Sequence, residues 1–135
     1  MTVSPPLSSI ERPKTPNTAL YAPEGVEMTD KIDGHVPDYP VAKAKLMSRA
    51  CQIWSGLKHV SVETQDEAAC YAHFIQKTPL LKFKDDIHLE FLDRGEGKSS
   101  FIIYSASRVG KSDLGTNRKR VESWLQQLND LSEGA

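Results

Sequence analysis

The sequence predicts an α+β fold: an antiparallel sheet of four to five strands with two helices on one face, in the order (β)-α-β-β-β-β-α. Three observations lead there. Apolar residues recur at three- and four-residue steps near both ends of the folded region, and mostly at two-residue steps between them. The strand-like runs follow one another through short turns, which favours hairpins over parallel crossovers. Seven of the eight prolines fall within the first 40 residues, where each removes a backbone donor and fixes φ.

The proline pattern divides the chain. Residues 1–15 read as an extended or disordered arm, 16–131 as one α+β domain and 132–135 as a tail. Residues 16–38 read as irregular chain with a short strand near Thr18–Tyr21. The first helix is expected from Pro40, a favoured first helical position, to Gly56 as a left-handed C′ residue. Its apolar stripe is Leu46, Ala50, Ile53 and Leu57, broadened by Met47, Cys51 and Trp54.

Four strands are expected next. Val60–Thr64 places Val60, Val62 and Thr64 inward, and Ala68–Gln76 is apolar on both phases before a turn through Thr78-Pro79. Phe83–Leu92 alternates, with Phe83, Ile87, Leu89 and Phe91 on one face and Lys84, Asp86, His88 and Glu90 on the other. Asp93–Gly97 reads as a flexible hairpin loop, and Ser100–Ala106 as the last strand. The closing helix carries Val121, Trp124, Leu125, Leu128 and Leu131 on one stripe, with Asp113 or Thr116 as N-cap.

Bulk properties exclude several function classes. At 135 residues the chain suits one domain, and its 39% hydrophobic and 26% charged content is ordinary for a soluble globular protein. A net charge of −1 supplies no global attraction to nucleic acid or to an acidic membrane. No run approaches the roughly 20 apolar residues that cross a bilayer. The start MTVSPPLSSIERPKTP has neither the basic nor the apolar region of a secretory signal. A cytoplasmic or organellar stroma- or matrix-like compartment is therefore expected, with Cys51 and Cys70 as reduced thiols.

The chemistry concentrates in Tyr104–Trp124, YSASRVGKSDLGTNRKRVESW, which packs Arg108, Lys111, Arg118, Lys119 and Arg120 around a Ser/Gly turn. Its GKS ending resembles a phosphate-binding loop, but Ser105 stands where that motif requires Gly, and the hairpin order lacks the parallel core it needs. A turn running into a helix N-terminus still attracts anions. Ser105, Ser107, Arg108, Lys111, Asn117 and Arg118 are the candidate ligand-binding residues, unless Asp113 caps the helix and takes that role itself.

Asp85 lies in phase with Ile87 and Leu89 and must be paired if buried. Asp85, Asp86, Asp113, Arg118 and Arg120 form the candidate structural ion pairs. The alternative is an enzyme in which Asp85 or Asp86 works with Arg108. An Asp85–Arg108 pair sealed from solvent would count against it. The basic run Asn117–Arg120 lacks the aromatic interleaving or helix-turn-helix spacing of a nucleic-acid reader. His35, His59, His73 and His88 show no metal-ligand spacing, so neither a metal nor another cofactor is expected.

FKDDIHLEF at 83–91 together with the 104–124 segment resembles the domain-of-unknown-function family 1499. Its pattern is an aromatic-x-Asp-Asp strand followed by Arg-Ser-x-Ser-Arg-x-Gly-x-x-Asp-x-Gly-x-Asn-Arg-x-Arg. Asp85, Asp86, Ser105, Ser107, Arg108, Gly110, Asp113, Gly115, Asn117, Arg118 and Arg120 match it position by position. The resemblance spans about residues 16–128. Two departures stand out: Asn17-Thr18-Ala19-Leu20 replaces an Asn-Cys-Val-Ser start, and Tyr104 replaces an Arg. Their loss argues against thiol chemistry and thins the positive site. The resemblance also implies bacterial and plastid-bearing relatives, often with membrane spans or targeting peptides.

Two functions are therefore expected to compete. One is a non-catalytic accessory module that binds a small anion or docks on a larger, membrane-associated or soluble assembly through its N-terminal arm. The other is an enzyme acting on a phosphorylated or carboxylated small molecule.

Overall fold

A computed structural model describes residues 4–15, 17–78, 83–108 and 115–129. After a 3-10 turn at Leu7–Ser9 come β1 (Thr18–Ala22), β2 (Gly34–His35), α1 (Lys43–Ser55), β3 (Val60–Asp66), β4 (Tyr71–Lys77), β5 (Lys84–Gly95), β6 (Lys98–Ser107) and α2 (Thr116–Gln126). The sheet is six-stranded and mixed, in the order β2-β1-β6-β5-β4-β3. This corrects the expectation of a four- to five-stranded antiparallel sheet. β1 does pair antiparallel with β6, but β2 adds a two-residue parallel pairing, Tyr21 with Gly34 and Ala22 with His35. Two residues carry too little pattern to read from sequence. Gly34 is required there because a Cβ would lie 2.6 Å from the Tyr21 ring.

Both helices lie on one face of the sheet, where α1 packs against β5 and β6 and α2 against β1 and β6. The core between them is aromatic. Trp54 of α1 stacks on Trp124 of α2 with centroids 5.1 Å apart, and meets the edges of Phe74 and Phe101. Its indole N–H donates to the Trp124 carbonyl at 3.1 Å, so burial leaves the donor satisfied.

The first helix starts three residues later than Pro40 suggests. Tyr39 exchanges both backbone hydrogen bonds with Ser99, and the Ser99 hydroxyl donates to the Val41 carbonyl at 2.7 Å. The chain is thereby held extended until Ala42. Gly56 closes the helix in right-handed geometry at φ −87°, not as a left-handed cap. Leu46, Met47, Ala50, Cys51 and Trp54 are buried, while Ile53 and Leu57 pack at the margin.

Three strand expectations also change. β3 is the sheet's edge, a bulge between Val62 and Thr64 breaks its alternation, and Val62 is exposed rather than inward. Phe83 precedes β5 and is likewise exposed. The expected flexible loop 93–97 is mostly strand, since β5 and β6 continue to Gly95 and Lys98. Glu96 and Gly97 both take positive φ, as a tight two-residue hairpin turn demands. Pro79, and with it the turn expected there, lies outside the described residues, as does Leu131.

The second face of the sheet has its own cover. Residues 4–15 are not a loose arm: Leu7 and Ile10 are buried there with Leu20, Ala22, Tyr71, Ile102 and Tyr104. The Leu7 amide donates to the Glu90 carboxylate at 2.7 Å, and the Thr29 amide to the Ser8 carbonyl at 2.9 Å. Arg12 donates to the Thr18 carbonyl and pairs with Asp33 at 2.9 Å. Proline denies this segment regular structure, but apolar burial and polar ties hold it without any. Among the described residues no helix is long and apolar enough to cross a membrane.

Two outcomes follow. Leu7→Ala should destabilise the protein by about 2–5 kcal/mol in urea unfolding, whereas a loosely attached segment would leave the midpoint unmoved. Burial pushes the Cys51 thiol up to about 11, so it stays protonated at mildly alkaline pH. An alkylating reagent should then modify the partly exposed Cys70 and spare Cys51 until denaturant is added, read by mass spectrometry.

Candidate functional site

The motif residues of β6 and α2 form a closed polar cluster beneath the helix. Period-2 alternation turns Ser105 and Ser107 of β6 and Asp85 of β5 toward the helix face. There Asn117 and Arg120, three apart on α2, meet them. Arg120 donates through Nη2 to Asp85 Oδ2 at 2.6 Å, through Nε to Gln76 Oε1 at 2.7 Å, and through Nη1 to Asn117 Oδ1 at 2.7 Å and Ser105 Oγ at 3.2 Å. The Ser105 hydroxyl donates to Asn117 Oδ1 at 2.6 Å. The Asn117 amide in turn donates to Ser107 Oγ and to the Asn17 carbonyl, each at 2.9 Å. Side-chain exposure of Arg120 and Asp85 is 8% and 5%, so this charge pair is out of solvent. Among the described residues no buried side-chain nitrogen or oxygen lacks a partner.

The remaining candidates are placed elsewhere. Arg118 faces outward from α2 and pairs with Asp33 at 3.1 Å. One turn on, Glu122 accepts a 2.6 Å bond from the Tyr21 hydroxyl. Lys111 and Asp113 lie outside the described residues, and the α2 N-cap is Gly115 at φ +81° rather than Thr116. Arg108 and Asp85 do not meet. Arg108 instead forks onto Asp86 on the opposite face, Nε to Oδ2 at 2.8 Å and Nη2 to Oδ1 at 2.9 Å.

That opposite face holds a group invisible to sequence spacing. His73 and His88 are direct cross-strand partners on β4 and β5, and their rings stack with centroids 4.2 Å apart. Asp86 stands two residues before His88, hence on the same face, and its Oδ1 lies 2.7 Å from His73 Nε2. The Tyr71 hydroxyl meets His88 Nδ1 at 2.7 Å. Burial first, and then the electrostatic influence of His73 close by, pushes His88 down to about 4, so its ring is neutral at pH 7. For Asp86, burial pulls upward, but hydrogen bonds from Arg108 and His73 outweigh it and hold the carboxyl well below its usual range. Burial first, and then the Asp86 charge, raises Tyr71 to about 12. One nitrogen from each histidine and a carboxylate oxygen of Asp86 lie within 4.8 Å of one another. The pattern Asp86-x-His88 was the readable half of this group; pairing with His73 required the register.

A cleft opens beside the buried cluster, between the end of α1, the β3–β4 pair and the first two turns of α2. It encloses about 440 Å³ and is lined by Lys58, His59, Lys77, Lys119 and Arg120, with hydroxyls from Thr78, Thr116 and Ser123. Among the described residues that line it there is no carboxylate. None of the six candidate ligand-binding residues is among its described lining; Lys119 and Arg120 come from the basic run of α2, while Lys58 and Lys77 belong to segments far from the motif.

Removing one partner of a buried ion pair strands the other. Arg120→Met should lower the unfolding free energy by about 3–5 kcal/mol, and Asp85→Asn should act in the same direction. The double variant should lose clearly less than the sum of the two. Urea titration of all three tests this; strict additivity would mean that the two residues are not coupled.

The comparisons agree with this fold. None of the curated proteins matches the chain. A solution NMR structure of a protein from Thermobifida fusca is similar, with a TM-score of 0.51 at 12% identity, covering 86% of this chain and 91% of that one. At that identity the likeness concerns the fold alone. The family model "Protein of unknown function (DUF1499)" matches residues 11–128, a span holding β1 to α2, the buried cluster and both faces of the sheet. The chain therefore belongs to the DUF1499 family.

Proposed function

We propose that this domain is a non-catalytic module that binds a small anionic ligand in the cleft at the start of α2. The carrying observation is the cleft's lining among the described residues: Lys58, His59, Lys77, Lys119 and Arg120, with no carboxylate among them, in a chain of net charge −1. Like charges gather at a cost unless something offsets it, and an anion does so. The positive end of the α2 dipole adds to the attraction, and the hydroxyls of Thr78, Thr116 and Ser123 offer donors. The volume suits a small ligand. Arg120, already held by Asp85 and Gln76, would contribute field rather than a new fork.

The enzyme reading has less support. Asp85 is closed off by Arg120 and Asp86 is occupied by Arg108 and His73. Carboxylates stabilised in this way are poor general bases. Docking through an N-terminal arm is weakened in turn, since Leu7 and Ile10 are spent on the protein's own sheet. Two free cysteines fit the reducing, cytoplasmic or stroma-like compartment that we assign.

Titration with inorganic phosphate and with citrate, followed by amide chemical shifts, tests the anion site. Saturable shifts are expected at Lys58, Lys77, Thr116 and Lys119, weakening as salt rises. A Lys58→Ala/Lys119→Ala variant should bind about tenfold more weakly, equivalent to about 1.4 kcal/mol. Shifts confined to other surfaces, or equal affinity in the variant, would overturn the proposal.

A further inference from the structure

We infer that His73, Asp86 and His88 form a binding site for one first-row divalent transition ion of the zinc type, on the sheet face opposite the helices. The donor set is two imidazoles and one carboxylate, which suits zinc and its neighbours and does not suit magnesium or calcium. The scaffold is rigid. His73 and His88 face each other across the β4–β5 ladder, and period-2 alternation brings Asp86 onto the same side. One donor atom from each residue already falls within 4.8 Å of the others. Around a single tetrahedral ion with bonds of about 2.0–2.1 Å, donors stand roughly 3.3 Å apart. Closing the site therefore takes side-chain rotation and no change in the strands.

The supporting contacts that such a site needs are present. The Tyr71 hydroxyl sits on His88 Nδ1, which reserves Nε2 for the ion. A partner on the second ring nitrogen is the usual device for fixing the ligating tautomer. Arg108 is the apparent obstacle, because it forks onto both Asp86 oxygens. The ion would enter where the His73 Nε2–H now meets Oδ1, displacing that proton and the Nη2 contact. The Nε contact to Oδ2 at 2.8 Å can stay, leaving a carboxylate shared between ion and guanidinium.

Two details of the geometry would change on binding. The His73 and His88 rings are nearly parallel, 25° apart, so their lone pairs run side by side instead of converging. The His73–Asp86 contact at 2.7 Å is a hydrogen bond, shorter than the spacing of two donors on one ion. Binding thus predicts a rotation of the His73 ring away from the stack. Side-chain exposure of His73 and Asp86 is 17% and 18%, which leaves an entry route and a fourth position for water.

Titrating metal-free protein with cobalt(II) tests the inference, because a tetrahedral site gives strong visible absorption that hydrated cobalt lacks. Saturation at one ion per chain is expected, with competition by zinc. Asp86→Asn and His73→Gln should each weaken binding roughly 100-fold, and histidine side-chain nitrogen spectra should show both rings shifting. Circular dichroism checks that each variant is folded. If Asp86→Asn unfolds the chain, His73→Gln carries the test alone, since its ring is near the surface. Failure of the wild type to bind, octahedral spectra only, or equal affinity in a folded His73→Gln variant would each overturn the assignment.

Discussion

One guanidinium holds the two layers of this protein in register. Arg120 leaves the second turn of α2 and reaches Gln76 on β4, Asp85 on β5 and Ser105 on β6, so a single side chain spans three neighbouring strands. Taking that charge out of water costs several kcal/mol. The cost is offset only because a carboxylate and three neutral acceptors are already in place. The arrangement is demanding, and it dictates several other residues. Asn117 must sit three positions earlier to share the acceptor side, and its amide then fastens Asn17 at the start of β1. The aromatic stack of Trp54 on Trp124 is aligned by the same docking, one turn further along the helix.

The family motif therefore acts first as a clasp. Its serines, asparagine and last arginine are consumed by one another, and the segment that suggests phosphate chemistry is mostly turned inward. What remains outside is divided between two places. The cleft inherits the positive field of α2 together with lysines from distant segments. The outer face inherits Asp86 and Arg108, joined there by His73, His88 and Tyr71. The adjacent aspartates of β5 thus serve opposite faces of the sheet, and the buried clasp separates the two sites.

Much of this was legible from residue order. Alternation in FKDDIHLEF set Asp85 inward with Ile87 and Leu89 and Asp86 outward with His88, and those are the faces they occupy. Helical spacing exposed the stripes of α1 and α2 because 3.6-residue periodicity survives in any amphipathic helix. The misreadings were physical in kind. Val62 looked buried because alternation reports a pleat, not whether any layer covers it, and an edge strand at a bulge has none. Residues 1–15 read as an extended or disordered arm because proline forbids regular structure, but burial of Leu7 and Ile10 needs none. Gly56 looked like a left-handed cap, but the turn after α1 is tight enough to close in right-handed geometry.

Local order thus established the α+β class, both helices, the central hairpins, the family motif and the direction of each aspartate. Each of these follows from periodicity or spacing within about ten residues. Partner choice did not follow. Asp85 had three arginines within reach of a sequence argument, and Arg120 took it because α2 packs over β1 and β6 and the Arg120 side chain reaches across to β5. His73 and His88, 15 positions apart, became neighbours only through the β4–β5 register. The cleft gathered Lys58, Lys77 and Lys119 from three elements in the same way. Contacts between distant segments depend on how layers pack, and packing energy is a property of the whole chain rather than of any window in it.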